Sequence, residues 1–194
     1  MSLIDEDEAL IAAALKGSAS AWEKLVKRNE GRVYNHSLRL TGNAADAMDL
    51  MQEVFLGVYR NLHRFRGDAM FSSWLFRIAH NKAVDMNRRR KLIYTKAKAT
   101  GDDDEGDIYD NIAGEAVDEP DAKLAEQQQN SKILKLLGEL PLEQRLIVEL
   151  KVFQSLTFEE IADMQEISEN TAKTRFYAAL KKLKVASEEY HVLS

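Results

Sequence analysis

Thr171, Lys173, Thr174, Arg175, Lys181 and Lys182 fall in a stretch, 171–184, that contains no acidic residue. Hydroxyls, ammonium groups and a guanidinium on one outer helix face can donate to base edges and phosphate oxygens of a duplex. The same stretch spaces Ala172, Phe176, Ala179, Leu180 and Leu183 as a helix that buries them. Just upstream, Thr157-Phe158-Glu159-Glu160 has a hydroxyl and a carboxylate at capping-box spacing, and Ser168 opens a second cap. A short capped helix, a tight connection and a helix with a basic outer face make the helix-turn-helix pattern. A helical hairpin with a solvated lysine face would look the same.

A second basic run, Arg88-Arg89-Arg90-Lys91, closes another helical stretch. In that stretch Trp74, Asn81 and Arg88 are seven residues apart and share nearly one side. An indole, an amide and a guanidinium in that order suit a single strand, through stacking, base-edge hydrogen bonding and phosphate contact. The spacing equally fits Trp74 in a core, with the arginines complementing the helix C-terminal dipole. A third stretch has Ala47, Met51, Val54, Phe55, Val58 and Leu62 on one side and Asp49, Gln52, Glu53, Leu56 and Arg60 on the other. A leucine among carboxylates on an outer face is a candidate partner surface or a plain solvated one.

For catalysis the chain offers little. His36, His63, His80 and His191 have no metal-ligand spacing, and no nucleophile elbow, phosphate loop or dinucleotide fingerprint occurs. No cofactor, metal site or enzymatic activity is expected. The absence of cysteine rules out disulfides and thiol chemistry and fits a reducing compartment. No run approaches the roughly 18 apolar residues of a membrane span, and the acidic start, Met1 to Glu8, is unlike a signal peptide. A cytoplasmic protein with no membrane insertion of its own is expected.

These groups must be positioned by helices. With 2 Pro and 9 Gly in 194 residues, the chain has few places to turn. Helices are expected before Lys16-Gly17, from a Ser18 or Ser20 cap to Gly42-Asn43, from about Ala44 to Leu62, and from about Phe71 to Arg90. Helical pattern resumes near Asp121 and breaks at Leu140-Pro141. Three more helices follow, at about 142–153, 158–164 and 169–188. Between the halves, residues 91–130 hold 4 Lys and Arg against 11 Asp and Glu. The net charge of −5 therefore arises mainly in this middle segment, while the basic runs flank it. The expected fold class is all-α, with two helical domains, 1–92 and 123–194, joined by a flexible acidic linker, 93–122. An acidic protein with local basic runs reads as a subunit that meets DNA with help from a partner.

Taken in order, the motifs resemble those of the extracytoplasmic-function sigma factors of bacterial RNA polymerase, over nearly the whole chain apart from the linker. The run from Asp46 through Asp49, Gln52 and Glu53 to Phe55 resembles that family's helix for docking on the polymerase β′ clamp. Arg64-Phe65-Arg66-Gly67-Asp68, Phe71 and Trp74 to Asn81 resemble its segment that opens and captures the minus-ten element. Leu140-Pro141 to Val148 and Thr157 to Leu183 resemble its reader of the minus-thirty-five element.

The resemblance implies core polymerase (β′ clamp and β), promoter DNA in duplex and melted form, and an anti-sigma factor as partners. It places Asp49, Gln52, Glu53 and Leu56 against polymerase, and Trp74, Asn81, Arg88, Arg89 and Arg90 at the minus-ten element. Asn81 would line a pocket for a flipped base and Trp74 would belong to the strand-opening surface. Thr171, Lys173, Thr174, Arg175, Lys181 and Lys182 would meet the minus-thirty-five duplex. The acidic linker would thread the polymerase channel toward the RNA exit. Glu166 stands where the family's turn carries Gly, so a turn that is strained or differently shaped is expected there. Ala178 and Leu180 stand where relatives often carry basic residues.

Overall fold

The computed structural model describes residues 3–99 and 122–192, and the described residues form helices and no strand. By contact the chain divides into two compact units, residues 1–37 with 45–106, and residues 38–44 with 107–194.

In the first unit, α1 (Leu3–Leu15) ends at Lys16-Gly17, where Gly17 has φ 91°. Only glycine enters that left-handed region without steric cost. Ser18 Oγ accepts from the Ala21 amide at 3.3 Å and starts α2 (Ala19–Thr41), which Gly42, at φ 80°, terminates. α3 (Ala44–Asn61) closes with a tight turn over Leu62–Arg64, and a loop leads to α4 (Phe71–Ala99). The core is built from Leu25 and Val33, from Leu50, Val54 and Val58, and from Leu75, Phe76 and Ala79, all buried. Gly57 lets α3 and α4 approach closely, since a Cβ there would lie 3.0 Å from Ile78 Cγ2 and 3.3 Å from Lys82 Cε. α4 does not stop at Arg90 as the loss of pattern suggested. Residues 93–99, expected to begin the linker, are helical. No Gly or Pro interrupts Lys91 to Ala99, and the exposed Leu92 and Ile93 show a helix continuing without a core beneath it. The acidic run Asp102-Asp103-Asp104-Glu105 lies outside the described residues.

In the second unit, α5 (Ala122–Gly138) gives way at Leu140-Pro141 to α6 (Leu142–Val148). The buried Arg145 guanidinium ties this corner, donating from Nη2 to the Gly138 and Leu140 carbonyls at 2.9 and 3.0 Å. α6 widens over Glu149–Phe153, where the Gln154 amide donates five residues back to Glu149. α7 (Phe158–Gln165) carries the expected capping box. Thr157 Oγ1 accepts from the Glu160 amide at 3.1 Å, and the Glu160 carboxylate accepts from the Thr157 amide at 2.7 Å. α8 (Glu169–Val192) then packs Ala179, Phe176 and Leu183 onto Leu137, Leu140 and Val148. Leu180 is not part of that core. It is 39% exposed, because eight residues after Ala172 a 3.6-residue helix has turned about 80° off the buried stripe.

Candidate functional site

The outer face of α3 is as the spacing predicts. Asp49, Gln52, Glu53 and Leu56 are all exposed, while Ala47, Leu50, Val54 and Val58 are buried beneath them. Leu56 is 47% exposed, and two large side chains that the sequence reading did not single out join it, Met48 and Tyr59. The Tyr59 ring stands edge-on to Trp22 at 5.2 Å. This surface is apolar with an acidic border, the composition expected where a partner covers the centre and water the rim.

One carboxylate of this face, Glu53, also braces α4. Glu53 Oε2 lies 2.9 Å from Lys82 Nζ. That hydrogen bond, and then the ammonium charge, hold the Glu53 carboxyl below its ordinary range. Asp46 pairs with Arg90 in the same way at the N-terminal end of α3.

α4 presents Arg77, Asn81, Arg88 and Arg89 to solvent. Arg88 reaches Asp85 at 3.0 Å, and Arg90 is occupied by Asp46, so Arg89 is the member of the arginine run with no ion pair among the described residues. Trp74 is half-buried. Its ring lies 5.5 Å from Phe65 and 5.9 Å from Phe71, an aromatic cluster joining the loop before α4 to its first turns. The indole is thus anchored in the unit and only partly open, between the two alternatives its spacing allowed.

A cavity of about 550 Å³ opens beside this cluster, lined by Phe65, Gly67 to Ser72, the α2 residues Arg28, Asn29 and Arg32, and α1 residues. Asn81 is not among its lining residues. The exposed amide on α4 and the concave space under the loop are therefore separate features. Behind α4, His36 and His80 are buried, with His36 5.1 Å from Phe76. Burial first, and the neighbouring His36 second, push the His80 imidazole down to about 4.

On α8, Thr174, Lys181 and Lys182 are exposed, and Thr171, Lys173 and Arg175 are half-buried. Lys173 pairs with Glu169 at 2.7 Å, and Arg175 with Glu143 of α6 at 3.3 Å. Arg175 thus ties α8 to α6 as well as facing outward. The turn between α7 and α8 starts with a left-handed C-cap. Glu166 adopts φ 55°, ψ 40°, and the Ile167 amide donates to the Ala162 carbonyl at 3.0 Å. Glu166 keeps a left-handed backbone with a side chain in it, a conformation that costs roughly 1–2 kcal/mol. Ser168 Oγ then accepts from the Thr171 amide at 3.1 Å. Tyr177, 63% exposed on this helix, was missed by a reading that looked for charged and hydroxyl donors.

Among the described residues no cluster of histidine and carboxylate side chains could hold a metal ion, and no helix is long and apolar enough to cross a membrane.

Residues 25–93 match the family described as sigma-70 region 2, and residues 130–183 match sigma-70 region 4. The ECF RNA polymerase sigma factor SigW of Bacillus subtilis is 32% identical over 171 residues, covering 87% of this chain and 90% of that one. The ECF RNA polymerase sigma-E factor of Escherichia coli is 28% identical, covering 89% and 90%. Among solved structures, the sigma factor RpoE of Bartonella quintana, in complex with the anti-sigma factor NepR, superposes with TM-score 0.66 at 19% identity, covering 86% of this chain and 96% of that one. CnrH in complex with the cytosolic domain of CnrY gives 0.64 at 23%, covering 95% and 99%. At these identities the structural likeness is one of fold.

Proposed function

The chain belongs to the extracytoplasmic-function sigma factors of RNA polymerase, and from that premise we propose how its surfaces divide the work of promoter-specific initiation. The exposed face of α3, Asp49, Gln52, Glu53 and Leu56, docks on the β′ clamp of core polymerase. The outward side of α4, with Asn81, Arg88, Arg89 and Arg90 and the partly open ring of Trp74, meets the melted minus-ten strand. Arg88 leaves its carboxylate partner for a phosphate at little cost, because an exposed ion pair is worth about 0–1 kcal/mol, while Arg90 gives up a half-buried pair with Asp46. α8 lies in the major groove of the minus-thirty-five duplex, with Thr171 and Thr174 toward bases and Lys173, Arg175, Lys181 and Lys182 toward phosphates.

The observation that carries this reading is the α3 face, where four predicted residues stand exposed together, with Ala47, Leu50, Val54 and Val58 buried on the opposite side and Met51 and Phe55 half-buried. In this reading the chain performs no catalysis itself. Core polymerase supplies the chemistry, and the protein acts in the cytoplasm, between the linker path in polymerase and the promoter. An anti-sigma factor covers the α3 face when transcription is not wanted; the similarly folded RpoE of Bartonella quintana is itself solved in complex with an anti-sigma factor, NepR.

The test is a footprint. The chain with core polymerase should protect promoter DNA at both elements, and the chain alone should not. Full protection without polymerase would make it a stand-alone helix-turn-helix regulator and overturn the reading.

A further inference from the structure

The middle of the exposed side of α8 is apolar. The buried stripe, Ala172, Phe176, Ala179 and Leu183, fixes which side faces out. Thr174, Tyr177 and Lys181, at i, i+3 and i+7, form one outward stripe opposite it. Among the described residues of this helix Tyr177 is the most exposed large hydrophobic, and the exposed Leu180 is one turn beyond it. The described ring contact of Tyr177 is edge-on to its neighbour Phe176 at 5.7 Å. Lys173, one turn before it and paired with Glu169, and Lys181, one turn after it, lie on nearly the same side, and no acid occurs between 171 and 184.

A surface with a cationic frame and one aromatic point at its centre fits a partner with an anionic rim and an isolated apolar group inside. The major groove is such a partner. Phosphates line both of its edges, and its one apolar feature is the C5-methyl of thymine.

We propose that Tyr177 is a specificity-determining residue, its ring packing on a thymine methyl of the minus-thirty-five duplex while Leu180 excludes water beside it. This rests on the reading of α8 as the duplex-reading helix. It adds a base preference that none of the charged residues on the helix supplies, because lysines placed at phosphates read no sequence.

The experiment alters the DNA, so folding of the protein is not at issue. Holoenzyme reconstituted from core polymerase and the full chain first selects duplex promoters from a random library. Each thymine of the selected upstream element is then replaced, one at a time, by deoxyuridine, which lacks the methyl. Binding is measured for the wild-type chain, Tyr177→Phe and Tyr177→Ala.

One deoxyuridine should weaken wild-type and Tyr177→Phe binding about fourfold, the worth of one buried methyl. Tyr177→Ala should bind the thymine duplex less well and be blind to the substitution. A wild-type holoenzyme blind to every deoxyuridine overturns the proposal, as does a Tyr177→Ala chain that keeps the full methyl effect. A Tyr177→Phe chain that loses the effect assigns the side chain to a hydroxyl contact instead. If no upstream element is selected at all, the reading of α8 fails and the proposal with it. If an element is selected but no methyl matters, Tyr177 alone is misassigned.

Discussion

Charge reversal on α3 separates a polymerase-binding face from a merely solvated one, and its side effects can be calculated first. Asp49 is exposed and makes no ion pair among the described residues, so Asp49→Lys should change folding stability by no more than about 0.5 kcal/mol. Glu53→Lys is less clean. It removes the 2.9 Å contact to Lys82, worth roughly 0.2–1 kcal/mol at this exposure, and sets two ammonium groups against each other. The double variant should therefore lose about 1 kcal/mol in urea unfolding and remain folded. Its affinity for core polymerase should fall by about 2 kcal/mol or more, roughly 30-fold in Kd, the scale on which reversed charges act inside an interface. Lys82→Ala is the control. It removes the same intramolecular contact without reversing the face, and should keep core affinity within about threefold. The assay is a fluorescence titration of labelled chain with core polymerase, beside urea unfolding of each variant. Unchanged affinity in a folded double variant would refute the assignment. An equal loss in Lys82→Ala would show that bracing of α4, rather than contact by α3, carries the effect.

Other expectations follow from the same structure. Asn81→Ala should cost about 1–3 kcal/mol of discrimination at a single minus-ten position, read by permanganate footprinting on a promoter panel, and an equal loss on all promoters would count against base capture by this exposed amide. Lys182→Ala should lower the salt slope of closed-complex formation by about one unit if it meets a phosphate, whereas Arg175→Ala should also destabilise the fold through its lost Glu143 contact. Because His80 is held near 4 when folded against an ordinary 6.5, the unfolded chain binds its proton first. Its share of stability should be intact above pH 6.5 and decline between pH 6.5 and 4 by about 3 kcal/mol, and a His80→Gln chain should show a flatter pH profile in denaturant titrations. Glu166→Gly should stabilise the protein by up to about 1 kcal/mol, since relief of the left-handed strain outweighs the added unfolded-state entropy, and a lower unfolding midpoint would show that the turn is not strained.

The features legible in the sequence are those written in neighbouring residues. Lys16-Gly17, Gly42-Asn43, Leu140-Pro141 and the Thr157–Glu160 box each mark a boundary by local chemistry, and each boundary is found within a residue or two. The unusual turn at Glu166 is legible only through the resemblance, which sets Glu where the family carries Gly, and that residue adopts φ 55°. What was not legible depends on distant partners or on helix phase. Trp74 is partly covered because Phe65, outside its helix, leans on it. Arg90 and Glu53 carry partners from each other's helices, Asp46 and Lys82, that no spacing rule announces. α4 runs past its expected end because a helix with no core beneath it needs no apolar pattern, and nothing between Lys91 and Ala99 breaks one. Leu180 was placed inside by hydrophobicity where phase puts it outside, and Tyr177 was passed over for being neither charged nor buried.

Run-off transcription with purified core polymerase tests the central claim most directly. Core enzyme alone on a library of linear promoter fragments should give only scattered, non-specific transcripts. Addition of this chain should produce discrete transcripts from a subset of fragments that share an upstream and a minus-ten element, and the Asp49→Lys, Glu53→Lys chain should abolish them. Transcription unchanged by the wild-type chain, or specific transcripts undiminished in the α3 double variant, would contradict it.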